Sequence, residues 1–178
     1  DAAAEPAQIA MVARMAAPKR HDLLLDALAV LHDNDGHTPA VALLGGGPLA
    51  PALHAQAQAL GLARVAFVGD VDDVPARLAQ AQIFVLLSDH EGLPISVIEA
   101  MAAGCAIVAS NLPGLRELVV PEHEALLVDN EPAAIAAALQ QLLAQPNRRA
   151  ALGAAARARY AREFTRDRLV AATRAVYL

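Results

Sequence analysis

Glu91 and Glu99 stand eight positions apart. The first lies in the polar stretch Ser88-Asp89-His90-Glu91-Gly92, the second among Ile98, Ala100, Met101 and Ala102. A carboxylate buried without a partner among apolar neighbours is strongly disfavoured, so Glu99 is expected to face a cavity or a partner. Arg14 and Lys19, five positions apart, are the other chemistry-bearing pair. A guanidinium and an ammonium on neighbouring backbone can hold an anion and stabilise negative charge as it builds on a leaving group. Plainer readings exist for each. Glu91 could be a solvated loop acid, Glu99 an exposed helix residue, and Arg14 and Lys19 two surface cations.

The elements that must position these residues follow from hydrophobic pattern. Ile83 to Leu87 is a short continuous apolar run, as in a strand buried on both faces. The polar loop with Glu91 follows at its carboxyl end. Leu93-Pro94 opens a helix, with Pro in the tolerated first turn. Val97, Ile98 and Met101 recur on it at helical spacing, Gly104 ends it, and Cys105 to Ala109 reads as the next strand. If Ser96 and Glu99 share the helix face nearest the loop, Glu99 points into the same crevice as Glu91. Further strands are predicted at 8–13, 40–44, 65–68 and 125–128. Helices are predicted at 21–31, from the Gly45-Gly46-Gly47-Pro48 turn to about Leu60, at 75–81, at 113–119, and from Glu131 onward with breaks near Pro146-Asn147 and Thr165. Asp33-Asn34-Asp35-Gly36 reads as a turn; it lacks the later ligands of a calcium loop.

Strands alternating with helices predict the α/β class: a doubly wound, Rossmann-like parallel sheet of about six strands with helices on both faces. Right-handed crossovers then bring the loops at 14–20, 45–48, 69–73 and 88–94 to one edge. In such sheets that edge is where ligands bind. The glycines 45 to 47 allow close backbone approach there, and the helix behind them offers free N–H groups; an ordinary tight strand-to-helix turn would use the same residues. No repeat or linker divides the 178 residues, which are enough for one domain.

Composition narrows the class. The chain is 56% hydrophobic with 3% aromatic residues and no Trp, unlike proteins that stack nucleic-acid bases on aromatic side chains. Net charge is −5, yet from Arg148 to the end eight arginines face only Glu163 and Asp167. That basic stretch fits a solvated helix face, an acidic partner or a membrane surface. The single cysteine, Cys105, excludes an internal disulfide, fits a reducing compartment and reads as a buried, inert thiol. No apolar run reaches transmembrane length and no signal peptide is expected at the Ala-rich start, where Asp1 to Glu5 reads as a segment boundary.

Glu91-Gly92-Leu93-Pro94 followed by Glu99-Ala100-Met101-Ala102-Ala103-Gly104 closely resembles the signature of the retaining GT-B glycosyltransferases of family 4, group 1. The resemblance runs from about residue 8 to 165. It implies that Glu91 contacts the hydroxyls of a donor sugar and that Glu99 binds the ribose diol of a nucleotide; two acceptor oxygens suit two O–H donors. It implies that Arg14 and Lys19 grip the diphosphate, so that Arg14, Lys19 and Glu91 form the catalytic set. Gly45, Gly46, Gly47, Val71, Asp73, Gly92, Leu93, Pro94 and Glu99 form the donor-binding set, Val71 and Asp73 lying near the base. Capping of a helix is an equal reading for the acids of that loop, Asp73 among them. Pro94 departs from the second glycine that many members carry, which leaves the close backbone approach there open. Pro113-Gly114 to Glu117 is similar to a family turn and is expected to pack rather than react. His90 is not assigned.

The substrate so implied is a nucleoside-diphosphate sugar, a UDP-sugar before the others, uridine diphosphate being the commoner nucleotide in the family and guanosine and adenosine diphosphates both occurring. No cofactor or metal is expected. Asp70-Val71-Asp72 spells the Asp-x-Asp metal motif of another glycosyltransferase fold, but Arg14, Lys19 and a helix N-terminus can serve the diphosphate instead. A GT-B enzyme has two Rossmann-like domains. Residues 1–178 correspond to the second, donor-binding one, with the helices at about 147–178 packing back toward an absent N-terminal acceptor domain. The chain alone is expected to bind nucleotide without transferring sugar efficiently. Self-association through exposed apolar surface on its last helices is a further expectation. The full-length enzyme is expected in the cytoplasm, with peripheral contact to the inner face of the membrane and no nucleic-acid partner.

Two rival readings stay open at this level. Gly45-Gly46-Gly47-Pro48-Leu49-Ala50 also satisfies Gly-x-Gly-x-x-Ala after a strand, and Asp70 could take a ribose diol, as in a dinucleotide-dependent oxidoreductase. That reading leaves Arg14, Lys19, Glu91 and Glu99 without work. The other is a non-catalytic nucleotide-binding module, against which the intact four residues stand.

Overall fold

A computed structural model describes residues 8–36, 38–165 and 167–168. Six parallel strands form one sheet: β1 (Ile9–Val12), β2 (Val41–Leu44), β3 (Val65–Gly69), β4 (Ile83–Leu86), β5 (Ala106–Ser110) and β6 (Ala125–Val128). Their order is β3-β2-β1-β4-β5-β6. This is the doubly wound Rossmann-like arrangement, and the chain reverses its direction of travel across the sheet between β1 and β4. The burial pattern explains the composition of the strands. All of Ile83–Leu86 and Ala106–Ser110 is buried, because these central strands are covered on both faces, whereas edge strand β3 is only partly covered.

Seven helices complete the described residues: α1 (His21–Asp35), α2 (Ala50–Ala59), α3 (Val74–Leu78), α4 (Ile95–Ala103), α5 (Pro113–Leu118), α6 (Pro132–Ala144) and α7 (Pro146–Glu163). Contacts among them place α1 with α2 and α6, and α4 with α3 and α7. The core between these layers and the sheet is aliphatic, with Leu24, Leu25 and Leu28 of α1, Met101 of α4 and Leu139 of α6 fully buried. Helix α7 sits tightly on the end of α4. A Cβ on Gly153 would lie 2.2 Å from the Gly104 carbonyl oxygen, so only glycine permits this approach. The further expectation that the last helices reach toward another domain falls partly on 169–178, outside the described residues.

Several element boundaries differ from the sequence reading. Helix α1 continues through Asp33-Asn34-Asp35 and stops at Gly36, whose φ of 65° and N–H bond to the His32 carbonyl form a left-handed cap. Pro94 is the N-cap of α4, in extended conformation, and Ile95 is the first helical residue. Strand β5 takes in Ser110 and leaves out Cys105, and α3 ends at Leu78.

Candidate active site at the carboxyl edge of the sheet

Parallel strands send their following loops to one edge. Strand order therefore fixes the sequence of the loops along it: 70–73 after β3, 45–49 after β2, 13–20 after β1 and 87–94 after β4. The residues singled out by sequence are thus strung along one edge of the sheet. Val71 and Asp73 lie at one end, Gly45 to Gly47 next, Arg14 and Lys19 after them, and Glu91 to Pro94 beyond the point of reversal.

The central contact spans that point. The Lys19 ammonium pairs with Glu91 Oε1, and the Glu91 side chain is only 7% exposed. Backbone holds the two loops in register: Arg20 N–H donates to the Leu87 carbonyl (2.9 Å) and Asp89 N–H to the Pro18 carbonyl (3.0 Å). The Ala17–Pro18 peptide in this loop is cis. Arg14, by contrast, is exposed and has no hydrogen bond or ion pair among the described residues. It lines a cavity of about 550 Å³ together with Val12, Gly46, Asp70, Val71 and Val74.

The glycine turn is explained by its protein neighbours. A Cβ on Gly45 would meet the Ala13 carbonyl oxygen at 2.3 Å, and one on Gly47 the Met15 carbonyl oxygen at 2.4 Å. Both glycines have positive φ, 119° and 152°. Met15 N–H donates to the Gly46 carbonyl and Leu49 N–H to the Met15 carbonyl. The turn therefore shapes the loop that carries Arg14. Gly46 N–H donates to Asp70 Oδ1 at 2.7 Å, which ties this turn to the next loop. Asp73 is the N-cap residue of α3 without a side-chain cap bond, and its carboxylate pairs with Arg77.

On α4, Glu99 and Ser96 are both half-buried while Val97, Ile98, Ala100 and Met101 are buried, so the two share the less covered face of the helix. Glu99 has no hydrogen bond or ion pair among the described residues. Gly92 and Leu93 are exposed and Pro94 is buried. Gly114 of α5 packs against this loop, where a Cβ would sit 2.6 Å from the carbonyl oxygens of Glu91 and Gly92.

Sequence reasoning passed over His21. It is 1% exposed, and neither ring nitrogen has a hydrogen-bond partner. Burial pushes its pKa down to about 4, with Asp22 and the Ala13 backbone pulling weakly the other way. Burial also works on neighbouring Asp22, but Arg20 outweighs it and holds that carboxyl below its ordinary range. Cys105 is buried and its thiol is pushed up to about 11 by burial, as suits an inert side chain. Most described arginines of α7 are committed within the fold: Arg148 to Glu122, Arg149 to the Leu142 carbonyl, and Arg159 to Glu124 and Glu163. Large exposed hydrophobic residues among those described are Leu49, Leu93, Ile95 and Val120, none of them on α7. Among the described residues no set of three metal-ligating side chains converges, and no helix is long and apolar enough to cross a membrane.

The family model for glycosyl transferases of group 1 matches residues 1–159. The chain belongs to the group 1 glycosyltransferases. This group 1 chain is 32% identical over 147 residues to a GDP-mannose-dependent α-(1-6)-phosphatidylinositol dimannoside mannosyltransferase of Mycobacterium tuberculosis, covering 82% of the chain and 38% of that relative. It thus spans about two fifths of that relative's length. Sucrose-phosphate synthase from Thermosynechococcus elongatus superposes with a TM-score of 0.87 at 28% identity, over 98% of the chain and 45% of the synthase. Anabaena HepE, in complex with UDP and glucose, does so with a TM-score of 0.85 at 24% identity, over 96% of the chain and 48% of HepE. The Rossmann-like unit is therefore one that glycosyltransferases carry as part of longer chains.

Proposed function

We propose that this chain is the donor-binding half of a glycosyltransferase that moves a sugar from a nucleoside-diphosphate sugar to an acceptor. One observation carries the reading: the Lys19–Glu91 pair bridges the β1 and β4 loops at the point where the sheet reverses, and the same β1 loop carries the unpaired Arg14, which lines a cavity of about 550 Å³. The order of loops along the edge suits a donor laid across it. The base lies by Val71 and Asp70, the diphosphate by Arg14 and Lys19, and the sugar by Glu91 and the backbone of Gly92 to Pro94. Glu99 takes the ribose diol. As the glycosidic bond breaks, the nucleoside diphosphate accumulates negative charge, and Arg14 and Lys19 stabilise it more than the intact donor. The exposed Leu49, Leu93 and Ile95 belong to the surface that the acceptor domain covers in the full-length enzyme.

For the base, guanine is proposed ahead of uracil. Guanine offers adjacent N1–H and N2–H donors, which suit a carboxylate, whereas uracil offers one N–H between two carbonyls. Asp70 lines the cavity, and its second carboxylate oxygen has no hydrogen bond among the described residues. The relative at 32% identity is named as GDP-mannose-dependent.

The oxidoreductase reading is weaker on this geometry. Its glycine turn follows β2 rather than a strand at the point of reversal.

A thermal-shift panel of GDP, UDP, ADP, their sugars and NAD tests the proposal. A ligand at a hundredfold over its dissociation constant stabilises by about 2.7 kcal/mol, which for this size is about 5–10 °C. The expected response is to GDP and a GDP-hexose. A response to UDP instead would keep the donor site and change the base; a response to NAD alone would overturn the proposal.

A further inference from the structure

We propose that Asn130 is a positioning residue for the Glu91 loop, acting through Ser88 and Asp89; the proposal rests on the donor-site reading above. Asn130 follows β6, two strands away from β4, and no spacing in the sequence links it to Glu91. Its amide is used on both sides. Nδ2 donates to the Ser88 carbonyl at 3.0 Å and to Asp89 Oδ1 at 3.4 Å, while Oδ1 accepts the Ser110 hydroxyl at 2.5 Å. The same Ser110 oxygen accepts the Ser88 N–H at 2.9 Å. Ser88 and Ser110 are fully buried, so each of these groups needs its partner. The orientation of the amide is set by chemistry. A flipped Asn130 would turn its oxygen toward a carbonyl and a carboxylate.

Asp89 Oδ1 is the meeting point. It also accepts from Arg20 Nη1 at 3.1 Å, and Arg20 in turn holds Asp22 at the start of α1. The two residues that begin the loop are thereby fixed from the β1 side and from the β6 side. Glu91 comes two positions later, anchored at its tip by Lys19. Losing the Asn130 donor frees the loop base and shifts Glu91 relative to a bound sugar, without touching the nucleotide end of the crevice.

Asn130→Asp is the sharp variant. It keeps the shape and the acceptor for Ser110, removes the donor to Ser88, and sets a carboxylate against Asp89. Calorimetric titration should show the dissociation constant for a nucleoside-diphosphate hexose rising about tenfold while that for the free nucleoside diphosphate stays within about twofold. Hydrogen exchange of the ligand-free chain gives an independent readout: amides of residues 88–92 should exchange faster in Asn130→Asp, with those of α1 unchanged. Unchanged affinity for the sugar, or equal loss for both ligands, overturns the proposal. If the wild-type chain binds neither ligand, the donor-site reading falls, and the exchange rates alone decide whether Asn130 holds the loop.

Discussion

Lys19 and Glu91 form an ion pair between the β1 and β4 loops although they lie 72 positions apart in the chain. The pair is asymmetric. The Glu91 side chain is 7% exposed and that of Lys19 22%. The carboxylate therefore depends on the ammonium more than the reverse, because the more deeply placed charge has less water to fall back on. Under the donor-site reading, a diphosphate arriving at Lys19 would compete for the same cation that Glu91 holds.

Removing one partner should consequently cost more than removing both charges. Lys19→Met alone is expected to destabilise by about 2 kcal/mol, below the range for fully buried pairs because Lys19 keeps some solvent contact. That corresponds to a fall in Tm of about 4–8 °C. Lys19→Met combined with Glu91→Gln should lose less than the sum of the single changes, by about 1–2 kcal/mol. Urea denaturation of the four proteins measures this coupling. Strictly additive losses would show that the pair does not support the ligand-free fold.

Glu99 should behave in the opposite way. It has no partner among the described residues, so Glu99→Ala strands nothing, and the change should move stability by no more than about 0.5 kcal/mol. Under the donor-site reading, nucleotide stabilisation in the thermal-shift panel should nevertheless disappear, since Glu99 would be the acceptor for the ribose diol. A variant that loses several degrees of Tm without ligand, yet keeps the nucleotide shift, would assign Glu99 to the fold instead of the site.

These two residues also mark what was legible in the sequence. Apolar runs and punctuation located all six strands; the central ones, buried on both faces, tolerate little but aliphatic residues. The Glu91 to Gly104 run was readable since one local segment carries both acids. Asp33-Asn34-Asp35 looked like a turn by local preference, yet packing of the α1 leucines carries the helix on until Gly36 can adopt its left-handed cap. Gly45 and Gly47 suggested an approaching ligand, whereas the backbone they approach is that of residues 13 and 15. The polar ties of Arg20 and Asn130 to Asp89 were invisible, as their partners lie 69 and 41 positions away. Nor could sequence show that His21 would be buried without a hydrogen bond.

His21 gives a pH signature. Its folded pKa is about 4, against about 6.5 for an unperturbed imidazole, because burial disfavours the charged ring. The unfolded chain therefore binds the extra proton between these values, and stability must fall as pH drops from about 6.5 to about 4, by up to about 3 kcal/mol. Stability should be flat with respect to this group above pH 7. His21→Leu should remove that slope in denaturation midpoints measured across the window. Retention of the full slope in the variant would assign it to other groups.

The glycines flanking the Glu91 loop separate packing from ligand approach. At Gly114 an added Cβ would press on the carbonyl oxygens of Glu91 and Gly92 at 2.6 Å, both of them backbone atoms that move only if the loop moves. At Gly92 the same atom would meet nothing within 4 Å, and the backbone there is not in the left-handed region. Gly114→Ala is accordingly expected to destabilise by about 1–3 kcal/mol through overpacking. Gly92→Ala should leave Tm unchanged or slightly raised, since alanine restricts the unfolded chain more than glycine does. Under the donor-site reading, Gly92→Ala should still weaken binding of the nucleotide sugar, because the methyl group occupies space at the loop face where the sugar lies. Calorimetry on a Gly92→Ala protein of unaltered Tm checks this directly: full retention of sugar affinity would remove Gly92 from the donor-binding set while leaving Gly114 as the residue that holds the loop in place.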